Sequence, residues 1–556
     1  MRPPPSFSRH YLLLAGLALV ITWTTWFSGA GQLGLVGPDE PRYVSIARAM
    51  AETGDWVTPR LNGEPWFEKP VLYYWGAAAA FSVFGESDMS ARLPSAIAIL
   101  VASAALIALT LRAFGSSVAL ALAFMLPSML ATIAFARGAS TDMVFTATLT
   151  LAFAAAARVV EVLHASTSGL GGVGRGRERL LWLAAWGAAL GVAVLAKGPA
   201  AVLLAGGGVV LCSLLMRQWR WPLTFAHPVA LVAFALVALP WYVLCALRNP
   251  DFVRVFILEH NVQRFLTPMF AHEQPWWYFG AVLAAGLVPW TTVLVPTVRD
   301  AWRETAGRRD PVALLAICWA VVPFIFFSVS RSKLPGYILP MFPPLVLLMA
   351  RTLAASLQAP GRGRALLASA GGLLVVVAGL LAGMTMQVVP AHLAPAVATL
   401  GLTTTWPAAI GAAGIGIALL ALRGRAWLAL GLTSAVMAIL VLGVNSRVVP
   451  TLDPLLSARA AAVAASDAAE GGAIFELGLE RTMNFGLDYY LRRDLREWSP
   501  EAGEGVVVVR ATTARTFAAS GYLVDVVERI SSAAVITRVR RVNTLRLSTI
   551  APPSTP

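Results

Sequence analysis

Thirteen stretches of this chain are each apolar over roughly the length that crosses a bilayer, and any fold must first dispose of them. They run approximately 11–29, 92–112, 116–136, 139–160, 180–197, 199–216, 226–246, 276–297, 311–329, 334–352, 366–388, 405–422 and 426–444. A helical span needs about 20 mostly apolar residues. Of the 556 residues, 58% are hydrophobic and 13% charged, where soluble domains carry about 25% charged residues. The chain is therefore predicted to be a polytopic α-helical membrane protein, and a soluble multidomain architecture is excluded.

The segment 70–85, PVLYYWGAAAAFSVFG, raises the question of a fourteenth crossing. Charge decides it. If 70–85 does not cross, one side of the membrane receives Arg112, the loop with Arg175, Arg177 and Arg179, then Arg217 and Arg220. The same side receives Arg299, Arg303, Arg308 and Arg309, then Arg351, Arg362 and Arg364, and finally Arg423 and Arg425. That is the excess of basic residues expected of cytoplasmic loops. The segment 70–85 is therefore expected to be an interfacial or re-entrant helix on the outer face. The first apolar run follows MRPPPSFSRH, which has the parts of a signal peptide. It is long enough to span and is read as an uncleaved first helix with its amino terminus inside.

This topology gathers the polar segments on the outer side. They are the acidic stretch GPDEPRYVSIARAMAETGDW with NGEPWFEKP, then RGASTDM, AKGP, the loop 248–275, and RSKLPGYILP. After about residue 448 the texture changes. AIFELGL, GVVVVRA, YLVDVVERI and AAVITRV read as short strands of a small α/β domain. The expected organisation is a membrane domain over 1–447, an outer α/β domain over 448–550, and a disordered tail over 551–556. Within the membrane domain, 37–90 forms a first outer loop with juxtamembrane helices and 247–275 a second large outer loop.

The net charge of +14 is explained by the cytoplasmic arginines, and no basic-aromatic stretch calls for nucleic acid. Cys212, Cys245 and Cys318 lie in apolar segments without a CxxC pair, which points to core residues rather than disulfides or a thiolate metal site.

Charge beside a bilayer is costly without a task. Asp39 and Glu40 follow the first span, and Asp142 opens another. Carboxylates at one depth on different helices can share a cavity, where they accept a proton, hold a metal ion or stabilise a sugar cation. Each aspartate can also cap the helix that follows it. Cations gather on the same face: Lys69, Arg137, Lys197, Arg264 and Lys333. Such a set asks for an anion, and phosphate suits it, with Tyr337 able to donate its hydroxyl. Single members can instead snorkel to headgroups. Glu68, His260 and His272 form a candidate ligand set for a divalent metal, Zn or Mg. Trp66, Phe67, Tyr73, Tyr74, Trp75 and the WW pair of QPWWYFG fit interface anchors or the walls of an acyl-chain groove.

These residues resemble a known family. GPDEPRYVSIARAM, GDWVTPRLNGEPWFEKPVLYYW and ARLPSA are similar to the first periplasmic loop of bacterial GT-C glycosyltransferases. The resemblance is strongest to the 4-amino-4-deoxy-L-arabinose lipid A transferases, relatives of the protein O-mannosyltransferases. RGASTDM, LAKGP, EHNVQRF and SKLPGYILP extend it, in order, across about residues 37–345. The tail domain matches loosely, through LDYYLRR. The resemblance implies a sugar carried on undecaprenyl phosphate, inversion at the anomeric carbon, and lipid A or another membrane-surface acceptor. It implies a multi-pass enzyme of the bacterial inner membrane, acting as a monomer with its site facing the periplasm, and lipid A modification with polymyxin resistance. It assigns catalytic roles at Asp39 and Asp142, with Glu40 beside them, and donor-phosphate contacts at Lys69, Arg264 and Tyr337. A zinc ion is associated with the position of Glu68. Two rivals stand beside this reading: a polyprenyl-phosphate hexose or pentose transferase acting on another glycan or on protein, and a transporter. Transporters usually carry internal repeats and midplane broken helices. Here the charges lie at the outer boundary and no repeat is visible.

Overall fold

The computed structural model describes residues 9–167, 175–263, 273–307, 310–359, 361–387, 400–402, 404–510, 513, 522–530 and 534–541. Among these, nine helices are long and apolar enough to cross a membrane, and two bent helix pairs bring the number to as many as 11. The two pairs are Ser116–Ser128 with Leu130–Ala136, bent by 61°, and Tyr278–Gly286 with Thr291–Gly307, bent by 117°. The first apolar helix, Leu12–Trp26, and Ala200–Leu215 are shorter apolar helices. Together these elements coincide with the thirteen apolar stretches, and the protein is a multi-pass membrane protein. The doubtful segment folds as Leu72–Phe84, 13 residues. At 1.5 Å per residue that is about 20 Å, short of the ~30 Å hydrocarbon core.

Two compact units divide the chain. The first comprises Met1–Ala30, Ala47–Arg60 and Pro65–Val444, and the second Gly31–Ile46, Leu61–Glu64 and Asn445–Pro556.

In the first unit we number the elements that carry the argument. They are α1 (Arg9–Trp26), α2 (Asp88–Phe114), α3 (Thr141–Thr167), α4 (Arg175–Lys197), α5 (Ala200–Leu215), α6 (Pro228–Arg248), α7 (Pro311–Val329) and α8 (Phe342–Gln358). Helix α3 is the axis of this unit and is buried along nearly all of its span, whereas α6 is mostly exposed. It packs against α2, α4 and α7. Leu236 and Leu247 of α6 are largely exposed, as a lipid-facing surface requires. Ion pairs join α3 and α4 at both ends. At one end Asp142 meets Lys197, and at the other Arg158 pairs with Glu161 and, at 2.7 Å, with Glu178. Arg158 also lies over the ring of Trp182 at 5.2 Å. The two helices are thus antiparallel neighbours in fixed register.

The second unit contains a four-stranded mixed sheet of β1 (Ile474–Leu477), β2 (Gly505–Val509), β3 (Tyr522–Arg529) and β4 (Val535–Arg541). The order is β1-β2-β4-β3, with β1 parallel to β2 and the other pairs antiparallel. These are the four runs expected as strands. Alternate residues of β2 serve two faces. Val506 and Val508 pack with Ala461, Ala465 and Leu487 of the helices Arg459–Ala469 and Arg481–Leu491, while Val507 and Val509 pack with Trp498 and Val539. Asp453 ties Gly31–Ile46 into this unit. Its carboxylate accepts the Gly34 amide at 2.7 Å and pairs with Arg459 at 2.7 Å. Tyr490 completes the tie by accepting the Leu35 amide at 2.8 Å.

Candidate active site

The first unit brings three of the expected residues together at one end of α3. Ser140 accepts the Asp142 amide at 3.0 Å, so capping falls to the serine and the Asp142 carboxylate is turned elsewhere. It meets the ammonium of Lys197 in a direct ion pair. Gly198, at φ +81°, takes a left-handed conformation that ends α4 immediately after Lys197. An acid in the first turn of α3 and a base in the last turn of α4 each lie at the favourable end of a helix dipole. The Lys197 ammonium also lies 4.6 Å from the centroid of the Tyr337 ring and 5.5 Å from that of Phe145. Tyr337 belongs to the short 3-10 segment Pro335–Met341, and its ring packs on Phe327 of α7 at 5.5 Å. Gly336 leaves room for the Asp142 carboxylate, which any side chain at that position would overlap. The result is a partly open box with one acidic wall and two aromatic walls, holding an ammonium group.

Lys69 and Glu68 form a second cluster, 3.3 Å apart and mostly buried. The preceding Phe67 packs edge-on against Phe252 at 5.2 Å, and Phe252 packs in turn on Trp241 and Phe256. The Trp241 indole donates to the Val57 carbonyl at 2.9 Å, and Asn249 donates to the Thr58 hydroxyl at 3.0 Å. An aromatic and hydrogen-bonded brace therefore holds the loop that presents Lys69.

Arg137 and Lys333, also expected on this face, donate to backbone carbonyls. Arg137 donates to the Ser28 carbonyl beyond the end of α1, and burial, with Arg92 nearby, lowers its guanidinium to about 10. Lys333 donates to the Gln274 carbonyl at 3.3 Å. Both were expected at a phosphate. Lys197, expected there too, pairs with Asp142.

In the second unit Asp39 opens the helix Asp39–Thr53 and pairs with Arg42, leaving its side chain 51% exposed. Arg42 is itself anchored on the Pro38 carbonyl at 2.9 Å and lies over the Phe485 ring at 5.3 Å. The Glu40 carboxylate accepts the Val36 amide at 2.8 Å. Glu40, expected beside the catalytic acids, thus bonds the backbone just before its own helix.

Arg264 and His272 lie outside the described residues. His260 sits on the π-helix Arg254–Gln263. Among the described residues no three histidine, cysteine, aspartate or glutamate side chains converge as metal ligands, and Glu68 engages a lysine.

With this geometry in hand, the similarities are specific. Residues 12–256 match the family described as dolichyl-phosphate-mannose-protein mannosyltransferase. The crystal structure of ArnT from Cupriavidus metallidurans bound to undecaprenyl phosphate superposes with a TM-score of 0.77 at 24% identity, covering 98% of this chain and 99% of that one. Its apo form gives 0.76 at 23% identity, over the same shares of the two chains. The fold is thus the polytopic membrane fold of the GT-C class. The undecaprenyl phosphate-alpha-4-amino-4-deoxy-L-arabinose arabinosyl transferase of Photorhabdus laumondii is 30% identical over 437 residues, covering 77% of this chain and 75% of that protein. The chain belongs to this arabinosyl transferase family. The protein of the same description from Pseudomonas aeruginosa PAO1 is 37% identical over 329 residues, 58% of this chain, and the match spans 57% of that relative's length.

Proposed function

We propose that the protein is an inverting glycosyltransferase that moves 4-amino-4-deoxy-L-arabinose from undecaprenyl phosphate to a phosphate of lipid A. The reaction takes place at the periplasmic face of the inner membrane. The observation that carries the reading is the Asp142–Lys197–Tyr337 cluster at one end of the buried axis helix, in a chain of this family. Carboxylate, ammonium and phenol at a membrane boundary suit a substrate that is both sugar and phosphate.

In the reaction the bond between the anomeric carbon and the donor phosphate oxygen breaks, and its electron pair leaves with the phosphate. A new bond forms on the opposite face of the sugar, from an oxygen of the acceptor phosphate. Lys69 and Arg264 hold the departing phosphate, whose charge grows as the bond lengthens. Tyr337 stands beside it as a hydroxyl donor. Asp39 stabilises the cationic sugar and orients the acceptor, and Asp142 fixes the sugar ring. An acceptor phosphate is already anionic, so no strong general base is needed. The brace around Phe67, Phe252 and Trp241 keeps Lys69 in place.

Mass spectrometry of lipid A from cells with and without the gene tests the reading. A pentosamine adduct that depends on the gene, and disappears with Asp39→Asn at unchanged protein level, is the expected result. Unmodified lipid A in both strains removes the assignment of sugar and acceptor. Transfer of sugar to another glycan or to protein would then take its place.

A further inference from the structure

The ammonium box has a property that a phosphate site would not need. An ammonium held by a carboxylate and by the faces of two aromatic rings is how proteins recognise a cationic ligand. Here all three walls come from elements other than the cation's own: Asp142 and Phe145 from α3, and Tyr337 from the Pro335–Met341 segment. Lys197 arrives on α4 at the end of a flexible four-carbon stem, and it is the last residue of its helix, followed by Gly198. The stem can withdraw without moving a wall. The donor read above carries a primary amine, which is protonated at neutral pH.

We propose that the box of Asp142, Tyr337 and Phe145 is the recognition site for the donor's 4-ammonium group, with Lys197 holding the place until the sugar arrives. This rests on the amino-sugar reading of the donor. Binding is then an exchange of ion pairs. Before it, Asp142 pairs with Lys197, and the donor phosphate carries its charge with the sugar's own ammonium nearby. After it, the sugar ammonium pairs with Asp142, and Lys197 is free to neutralise the phosphate. Charge is conserved, no bond is made or broken, and the cation needed for departure of the phosphate is released only by the right sugar. A sugar with hydroxyl in place of amine cannot displace an ammonium from a carboxylate. It leaves Lys197 locked and the phosphate short of one positive charge.

The test compares two donors on the purified full-length protein in nanodiscs, with lipid A as acceptor. They are undecaprenyl phosphate bearing the 4-amino-4-deoxy pentose and the same lipid bearing the 4-hydroxy pentose. The readout is the ratio of their kcat/KM values, which does not depend on the folded fraction of a preparation. The wild-type ratio is expected to be at least about 100. Lys197→Met is expected to lower turnover of the amino donor about tenfold or more while leaving the hydroxy donor within about twofold, so the ratio collapses. Phe145→Leu is expected to reduce the ratio about three- to thirtyfold. A wild-type ratio near one overturns the proposal while leaving the transferase reading intact. So does a Lys197→Met variant that slows both donors equally. Transfer of neither sugar by the wild type ends the transferase reading for these donors, and the box with it.

Discussion

Gly336 offers the sharpest way to disturb the Asp142–Lys197 pair without touching either residue. A Cβ at this position would overlap a carboxylate oxygen of Asp142, lie 2.8 Å from its Cγ, and lie 3.0 Å from a ring carbon of Phe135. Gly336 does not adopt a left-handed φ, so alanine carries no backbone penalty there and the whole effect is contact. Relief requires Asp142 to retreat by about 1 Å, or the segment that carries Tyr337 to move away from it by a similar amount. Either movement separates the carboxylate from Lys197 or the aromatic wall from the ammonium. Overpacking of this kind costs about 1–3 kcal/mol in stability. That leaves a protein of ordinary stability folded. A 1 Å misplacement in a site costs about a hundredfold in rate, or ~2.7 kcal/mol of transition-state stabilisation. Gly336→Ala is therefore expected to express, to unfold at a modestly lower temperature, and to lose about two orders of magnitude in kcat/KM for sugar transfer. Gly280→Ala is the control, since no atom lies within 4 Å of a Cβ there. It should keep full activity and gain slightly in stability. Activity of Gly336→Ala within threefold of wild type would show that the tight contact does not set the geometry on which transfer depends.

Three further outcomes follow from other parts of the molecule. Burial raises the Asp488 carboxyl to about 6, against the pull of the Leu495 amide and with Asp494 and Glu476 adding like charge. A carboxyl raised in the folded state holds more protons there than in the unfolded chain between about pH 4 and pH 6. Stability of the second unit should therefore fall as pH rises through that window and stay low above it. Asp488→Asn keeps an acceptor for the Leu495 amide, so it should stabilise this unit by up to ~3 kcal/mol at pH 7.5 and by nothing at pH 4. Amide exchange in the sheet reads this out, and an equal effect at both pH values would refute it. Arg158→Ala takes the central cation from Glu161 and Glu178, although Arg112 still reaches Glu161, and should cost about 1–3 kcal/mol. Thermal unfolding of the whole protein would detect that loss. Asn249→Ala removes a buried donor to the Thr58 hydroxyl and the Cys245 carbonyl. It should cost about 1–3 kcal/mol and lower sugar transfer through the loop that presents Lys69.

The architecture of the membrane unit was legible because it depends on sums over whole segments. About 20 apolar residues cross a bilayer whatever their order, so the stretches read as spans appear as helices. Leu72–Phe84, which the arginine pattern kept from crossing, is too short to do so. The four strands of the second unit were legible for a related reason, since Val506 to Val509 declare two buried faces by composition alone. The site was legible only as an inventory. Charge types and the end of the bundle they occupy follow from topology, but partners do not. Lys197 was expected at a phosphate because a lone lysine beside the membrane gives no sign of its neighbour. The neighbour is Asp142, 55 residues earlier, and only the antiparallel register of α3 and α4 makes them meet. Glu40 gave the same ambiguity on a smaller scale: an acid at a helix start can face a substrate or a backbone amide, and here it bonds the amide of Val36. Gly336 gave no signal, because the need for a missing side chain exists only once Asp142 is in place.

The same register explains why a cation can be parked at this point in the bundle. A buried ion pair is costly to desolvate, and the best-attested uses of one are to fix register or to serve as a switch. The Arg158–Glu178 pair at the far end of α3 and α4 suits the first use, with Arg158 stacked on Trp182 and bonded to two carboxylates. The Asp142–Lys197 pair suits the second. Its acid is fixed by Ser140 capping and by Gly336, but its base sits at a helix end, 12% exposed, with a glycine turn behind it. One pair therefore fastens the two helices while the other can open, and the difference lies in what surrounds the cation rather than in the charges themselves. The two rings around the Lys197 ammonium, with its helix ending behind it, are what support exchange there.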